Sequence, residues 1–481
     1  MRATGRAQTR RMSFAARPVF PLAALCGALV LAGCASLSAP TAPPDAGVAV
    51  PAAWSTAAPV RDADALATWW QRFGDATLTT LVEQALQANT SIASAQASLR
   101  QSRALAQVQQ ARLGPDVGVS GSAQRSRTGS AGSGNSFRAG FDASWEPDVF
   151  GGQRAARDAA ALETDASAAS LGDVRVSVAA EVAQTYITLR STEQRLAIAR
   201  ENLASQEETL RITQWRVQAG LATSLQSEQA RAAVEQTRAQ IPALQTTLAL
   251  ARHQLALLTG RTAAEFSLAE GSAVPQPAAD LALAFPADTL RQRPDVRAAE
   301  ARVAAAAQRV LQADAARYPS FSLSGSLGLS ALTLSGLGSG AVVSSLLAGV
   351  SMPLFDGGAL RAQGEAQRAA FDQAREAHRA AVLAALKDVE DALVALQGGR
   401  ERLARLRDAA DAANNAALLA RQRYASGLVD FQTVLETQRT QLGAQDSVAA
   451  SQADVASDHV RLYKALGGGW TPEAAPTENR S

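Results

Sequence analysis

Proline is absent between Asp148 and Ile241, and from Gln153 to Ala219 the one glycine is Gly172. A run this long without a breaker reads as a single helix. At about 1.5 Å per residue it spans roughly 100 Å. That is several times the ~30 Å width of a small domain. A rod of that length cannot sit inside a globular core, so it must pack along its flank against other rods.

The apolar positions on it agree. Val178, Val182, Leu189, Leu196, Leu203 and Leu210 recur at spacings of four or seven, with Thr185 and Ala199 at intervening sites. Leu244, Leu248, Ala251, Leu255 and Leu258 continue the pattern on a return helix beyond a break at Gly220. This is a coiled-coil seam.

The chain also repeats itself. Leu86, Asn89, Ile92 and Ala95 recur as Leu290, Arg293, Val296 and Ala299, and Pro115 as Pro319. Pro147, Gly151 and Gly152 recur as Pro353, Gly357 and Gly358. Gly220 recurs as Gly427, and Leu255 with Gly260 as Leu462 with Gly467. The offset is about 205 residues throughout and drifts in one direction. Two structural repeats follow, about 69–267 and 286–467, with a connection at 268–289 and a tail at 468–481. Each has a first helix ending near a proline, two short alternating segments, a very long helix, a glycine break and a return helix. In the second repeat Leu386, Val389, Leu393 and Leu396 begin a seam that Gly398-Gly399 interrupts.

The alternating segments carry a period of two. Val117, Val119, Gly121 and Ala123 alternate with Gly118, Ser120, Ser122 and Gln124. Phe137 to Trp145 and Phe321 to Leu329 alternate likewise, and Leu346, Ala348, Val350 and Met352 form a fourth run. Each is about 8–10 residues, the length of a tilted membrane-crossing strand with one apolar and one polar face. Soluble amphipathic hairpins share this pattern. Four strands cannot close a barrel, and an open edge in lipid leaves backbone groups unpaired. Three chains would supply twelve strands around an aqueous lumen, which favours a trimer over the filled eight-stranded barrel of a dimer.

The start of the chain points to the cell envelope. Arg2, Arg6, Arg10, Arg11 and Arg17 precede an apolar run from Pro18 to Gly33. This is the charged and apolar order of a secretory signal, residues 1–33. It ends Leu31-Ala32-Gly33-Cys34, which resembles the bacterial lipobox, so Cys34 is the expected lipidation site. Residues 34–68, rich in Ala, Pro, Ser and Thr up to about 60, read as an extended tether, with a strap along the body as the rival reading. Cys26 leaves with the signal.

Composition narrows the chemistry. Lys and Arg number 46 against 44 acidic residues, a net charge of +2 that rests on the five arginines of the signal. Nothing recommends nucleic acid as a partner. His253, His378 and His459 lack ligand spacing, and Gly336-Leu337-Gly338-Ser339-Gly340 lacks the Gly-Lys-Ser/Thr ending of a phosphate loop. No nucleophile constellation, metal site or cofactor motif is present, so the expectation is a passive conduit and not an enzyme.

Several motifs then carry a family resemblance. Leu290-Arg291-Gln292-Arg293-Pro294-Asp295-Val296 is similar to the Arg-Arg-Pro-Asp-Ile signature of the TolC family of outer membrane factors, with Gln292 in place of one Arg. Physically it is a helix start: Pro294 presets φ, and Asp295 complements the positive helix end. Trp145-Glu146-Pro147-Asp148-Val149-Phe150-Gly151 and Pro353-Leu354-Phe355-Asp356-Gly357-Gly358 resemble the family's strand-to-helix turns. Trp69-Trp70 with Phe73-Gly74-Asp75 resembles its lipoprotein branch, which serves pumps of the resistance-nodulation-division (RND) type.

The resemblance implies an α+β membrane protein. Its expected form is a trimeric twelve-stranded transmembrane β-barrel, four strands per chain, continued by a long periplasmic α-helical barrel. It implies a homotrimer in the outer membrane lipid, an inner-membrane RND-type pump, and a periplasmic adaptor (membrane fusion protein). The adaptor is expected at the tips, at Arg216, Gly220, Leu221, Arg423, Gly427 and Leu428. Asp430, Thr433 and Glu436, spaced on roughly one helix face, are the candidates for the periplasmic gate, and by position Thr433 and Glu436 match the family's ring sites. The alternatives are a duct for type I protein secretion and a lipid-anchored coiled-coil scaffold without a pore.

Overall fold

A computed structural model describes residues 47–54, 66–127, 129, 133–271, 273–277, 290 and 292–471. Cys34 and the signal lie outside the described residues. The described chain divides into two compact units.

The first unit comprises Arg112–Ala155 and Val310–Gly364. It holds four antiparallel strands: β1 (Asp116–Arg127), β2 (Ser133–Trp145), β3 (Ser320–Ala331) and β4 (Ala341–Ser351). They form one sheet in the order β1-β2-β3-β4. The repeats are therefore joined through β2 and β3, which pair from Phe137–Ala331 to Trp145–Leu323. The strands are 12, 13, 12 and 11 residues long, longer than the apolar alternation suggests. Backbone pairing continues past the last apolar side chain, through Arg125–Asn135 to Arg127–Ser133.

The register sorts the two faces. Val119, Phe141 and Leu327 stand in one row, and Gly121, Ala139, Leu329 and Val342 in another. Between them lie rows of the opposite face, such as Ser120, Gly140, Gly328 and Val343. A Cβ on Gly140 would sit 2.7 Å from Gly328 Cα, so this crossing of the repeats admits no side chain. Ser326 and Ser345 share a hydrogen bond across the polar face at 2.8 Å.

The second unit is helical and comprises the described parts of Thr41–Ala111, Ala156–Arg309 and Glu365–Ser481. In chain order the helices are α1 (Ala76–Ala88), α2 (Thr90–Ala111), α3 (Gly152–Gln218), α4 (Ser224–Leu258), α5 (Pro294–Ala315), α6 (Ala359–Ala425) and α7 (Phe431–Ala465). The repeat is exact in length: α3 and α6 each have 67 residues, and α4 and α7 each have 35. No described helix is long and apolar enough to cross a membrane.

The expected single first helix is two. Asn89 is extended (φ −67°, ψ 130°) and breaks it. Its side chain accepts from Ser91 N–H at 2.9 Å, and its amide donates to the Leu258 carbonyl at 3.0 Å. Arg293, its repeat counterpart, is also buried. Its guanidinium donates to Asp295 and to the Ala465 carbonyl, and it reaches Asp388 at 3.3 Å. The signature arginine thus ties α5 to α6 and α7.

The main core gathers Trp69, Trp70, Phe73, Leu78, Val182, Leu189, Leu255 and Tyr463. The seam of α3 is apolar only as far as Ala199. Beyond it Leu203 and Leu210 are half-buried, and the buried positions are Asn202, Gln206 and Thr213. Gly398-Gly399 does not break α6, and a Cβ on Gly399 would lie 3.3 Å from Asp458 and Val455 of α7. Glycine there serves a close helix approach. Residues 47–54 are not a free tether: Val48 packs on Leu290, Val296, Val382 and Ala385, and Trp54 on the main core.

His459 gives a pH prediction. Its Nδ1–H donates to the Val455 carbonyl at 2.7 Å, and Nε2 accepts from Arg400 at 3.0 Å. Burial pushes its pKa from 6.5 down to about 4. The unfolded chain therefore takes up a proton that the folded chain refuses between these values. Stability contributed by neutral His459 is complete above about pH 6.5 and falls as pH drops towards 4, by up to about 3 kcal/mol. Thermal midpoints across pH 7 to 4 should fall more steeply for the wild type than for His459→Gln.

Candidate functional site

Two tight turns cap the long helices. At the end of α3, Leu221 N–H donates to the Arg216 carbonyl at 2.7 Å and Gly220 N–H to Val217 at 3.0 Å. At the end of α6, Leu428 N–H donates to Arg423 at 2.8 Å and Gly427 N–H to Tyr424 at 3.0 Å. These paired bonds are Schellman motifs, which need a left-handed residue. Gly220 and Gly427 supply it, with φ of 72° and 73°.

In such a motif the residue after the glycine usually packs back on its helix. Here Leu221 and Leu428 do not: they are 72% and 74% exposed. Trp215 and Leu225, beside the first turn, are 59% and 65% exposed. Large apolar side chains therefore point into water at both turns. Nothing in the sequence singles out Trp215 and Leu225, because their neighbours give no periodic signal there.

The following helices begin differently. Thr223 and Gln226 form a reciprocal capping box on α4. The Thr-x-x-Gln spacing could have been read from the sequence. On α7 the cap is Asp430, whose Oδ1 accepts the Thr433 N–H at 2.8 Å and hydroxyl at 2.5 Å. Those bonds hold the Asp430 carboxyl below its usual pKa, so it keeps its charge. Asp430 thus precedes the helix instead of lying on its face, and Thr433 turns its hydroxyl towards it. Glu436 is exposed within α7 and has no ion pair among the described residues. One of the three gate candidates is left as an uncommitted carboxylate.

The two turns are tied together within the chain. The Arg216 guanidinium stacks over the Tyr424 ring at 4.7 Å, and Tyr424 packs on Phe431 at 5.5 Å. Phe431 is buried with Ala230, Ala233 and Leu435. Arg216 is thereby committed inside the chain, whereas Arg423 is exposed. Further along, α3 and α7 meet through polar groups. Gln438 donates to Thr209 at 3.0 Å, Asn202 to Gln445 at 2.8 Å, and Arg195 grips Asp446 at 2.6 and 2.9 Å. The neutral bonds contribute about 1 kcal/mol each after exchange with water, and the charged Arg195–Asp446 pair more.

Comparison with known proteins places these features. The family model described as outer membrane efflux protein matches residues 81–261 and 285–468, once per repeat. The pyoverdine export outer membrane protein OpmQ of Pseudomonas putida is 34% identical over 91% of this chain and 95% of its own length. Outer membrane protein OprJ of Pseudomonas aeruginosa is 32% identical over 94% and 97%. Among solved structures, the outer-membrane channel OprN is similar with a TM-score of 0.84 and 32% identity, covering 90% of this chain and 99% of that one.

Proposed function

The chain belongs to the outer membrane efflux protein family, and from that premise we propose how its parts form a duct. It is the outer membrane exit channel of a tripartite efflux pump, with its helices in the periplasm. Its chemistry is passage, not catalysis.

The sheet carries the architectural reading. β1 and β4 are its edges, and one face is apolar from strand to strand. Each unpaired backbone group in lipid costs several kcal/mol. Three chains joined edge to edge, β4 of one to β1 of the next, remove every edge and give a twelve-stranded barrel. The homotrimer follows from that closure. The helices then enclose the periplasmic part of the duct, and lipid on Cys34 anchors the mature chain. Domain boundaries follow the repeats: signal 1–33, lipidated segment 34–68, repeats at 69–267 and 286–467, connection 268–289 and tail 468–481.

The exposed leucines of the turns support docking of a periplasmic adaptor, which links the duct to an inner-membrane RND-type pump. Arg216, Gly220, Arg423 and Gly427 shape the docking turns, and Leu221 and Leu428 make the contact. The closed mouth carries a ring of Glu436 with Asp430 beside it, and Thr433 holds Asp430 in place. Three like charges around an axis attract cations. Glu436→Ala should therefore reduce cation selectivity and divalent block of single channels in planar bilayers. An unchanged reversal potential would remove Glu436 from the gate.

Deletion of the gene tests the function itself. Drug sensitivity should rise several-fold, with no secreted protein lost. Loss of a secreted protein at unchanged drug sensitivity would support a protein-secretion duct. Absence of any conductance from the purified protein would leave only a scaffold.

A further inference from the structure

The polar face of the sheet is nearly uncharged. From Gly118 to Ser122 on β1, Ser136 to Ser144 on β2, and along all of β3 and β4, the charged residues are Arg138 and Asp142. The register places both on the serine face: Asp142 pairs with Gly118 and Ser326, and Arg138 with Ser122 and Ser330; Asp116, opposite Ser144 at the start of β1, adds a second carboxylate on the Asp142 side of that face. Both side chains are exposed, and neither has an ion pair among the described residues. Four residues of strand separate them, about 13 Å. That exceeds the ~8 Å Debye length at physiological salt, so the two charges do not cancel. The second hairpin, β3 with β4, carries no charge in the same rows, with Ser326 and Ser345 in one and Ser330 and Ala341 in the other.

We propose that Arg138 and Asp142 are the specificity-determining residues of the strand segment, forming two opposed charge bands that charged solutes cross in sequence. This rests on the trimeric barrel with its serine face towards the lumen. Three charged hairpins then alternate with three uncharged ones. Solute leaving the cell meets Asp142 first, since the chain runs along β2 past Arg138 to Asp142 and on to Gly152, where α3 begins. A cation is drawn into the first band and retarded at the second, and an anion the reverse. Between the bands Ser120, Gly140, Gly328 and Val343 carry no charge, so that row passes neutral solutes alike.

Thiol accessibility tests this from the outer side, independently of the periplasmic mouth. Cysteine is placed at Ser326, beside Asp142, or at Ser330, beside Arg138, with Leu327→Cys as the apolar-face control. Intact cells receive cationic and anionic thiol reagents of equal size, and chains without added cysteine set the background. At Ser326→Cys the cationic reagent should react several-fold faster than the anionic one, and Asp142→Ser combined with Asp116→Ser should erase the difference. At Ser330→Cys the preference should reverse and vanish with Arg138→Ser. Ratios unchanged by removing either charge would overturn the charge bands. Labelling of Leu327→Cys as fast as Ser326→Cys would instead overturn the barrel.

Discussion

Replacing Trp69 with alanine should destabilise the helical unit by about 3–5 kcal/mol, the largest stability effect expected of a single substitution. Trp69 is fully buried and stacks on Tyr463 at 5.3 Å, with Trp70 and Phe73 edge-on at 5.8 and 6.0 Å. The surrounding backbone is shaped to it. A Cβ on Gly468 would lie 2.9 Å from the indole, and Gly469 N–H donates to the Leu66 carbonyl at 2.9 Å. Rigid backbone on one side and rings on the other leave the cavity little room to collapse. Loss of helical circular dichroism on heating purified protein measures the effect. Trp69→Phe should recover part of the midpoint. A wild-type midpoint for Trp69→Ala would mean that the core does not depend on this ring.

Leu221→Glu combined with Leu428→Glu should abolish drug export while leaving the duct assembled. Both side chains are largely in water, so the substitution removes little buried area. Surface changes of this kind usually stay within about 0.5 kcal/mol. A docked leucine is different. Burying a carboxylate in an apolar contact costs several kcal/mol unless it is paired. In the proposed trimer, six altered turns would multiply that cost. Drug sensitivity should reach that of the deletion strain, while expression, trimer content and bilayer conductance match the wild type. Full resistance in the double variant would place adaptor contact elsewhere.

Much of the fold was legible because it is periodic. The proline-free run, the heptad-like seam and the recurring glycines specify helices of matching length in two repeats. The alternation of Ser with Leu, Phe and Gly specifies strands with two unlike faces. Gly220 and Gly427 announce their own turns, since few other residues tolerate positive φ. The site was less legible. Asp430, Thr433 and Glu436 look equivalent at their spacing, yet Asp430 caps the helix and Thr433 serves it. Arg216 and Arg423 occupy matching repeat positions, yet Arg216 stacks on Tyr424 and Arg423 does not. A repeat conveys position, not partner.

Local patterning sets which segments are rods, which are strands, and that the plan occurs twice. These depend on residues within a few positions of one another. Packing across the chain sets that β2 pairs with β3, that Arg293 joins three helices, and that the α3 seam turns polar against α7. Each depends on groups brought together across long stretches of chain, as with Asn202 and Gln445 or Arg293 and Asp388. A polar side chain in a sequence has many possible partners. The packed helices select among them.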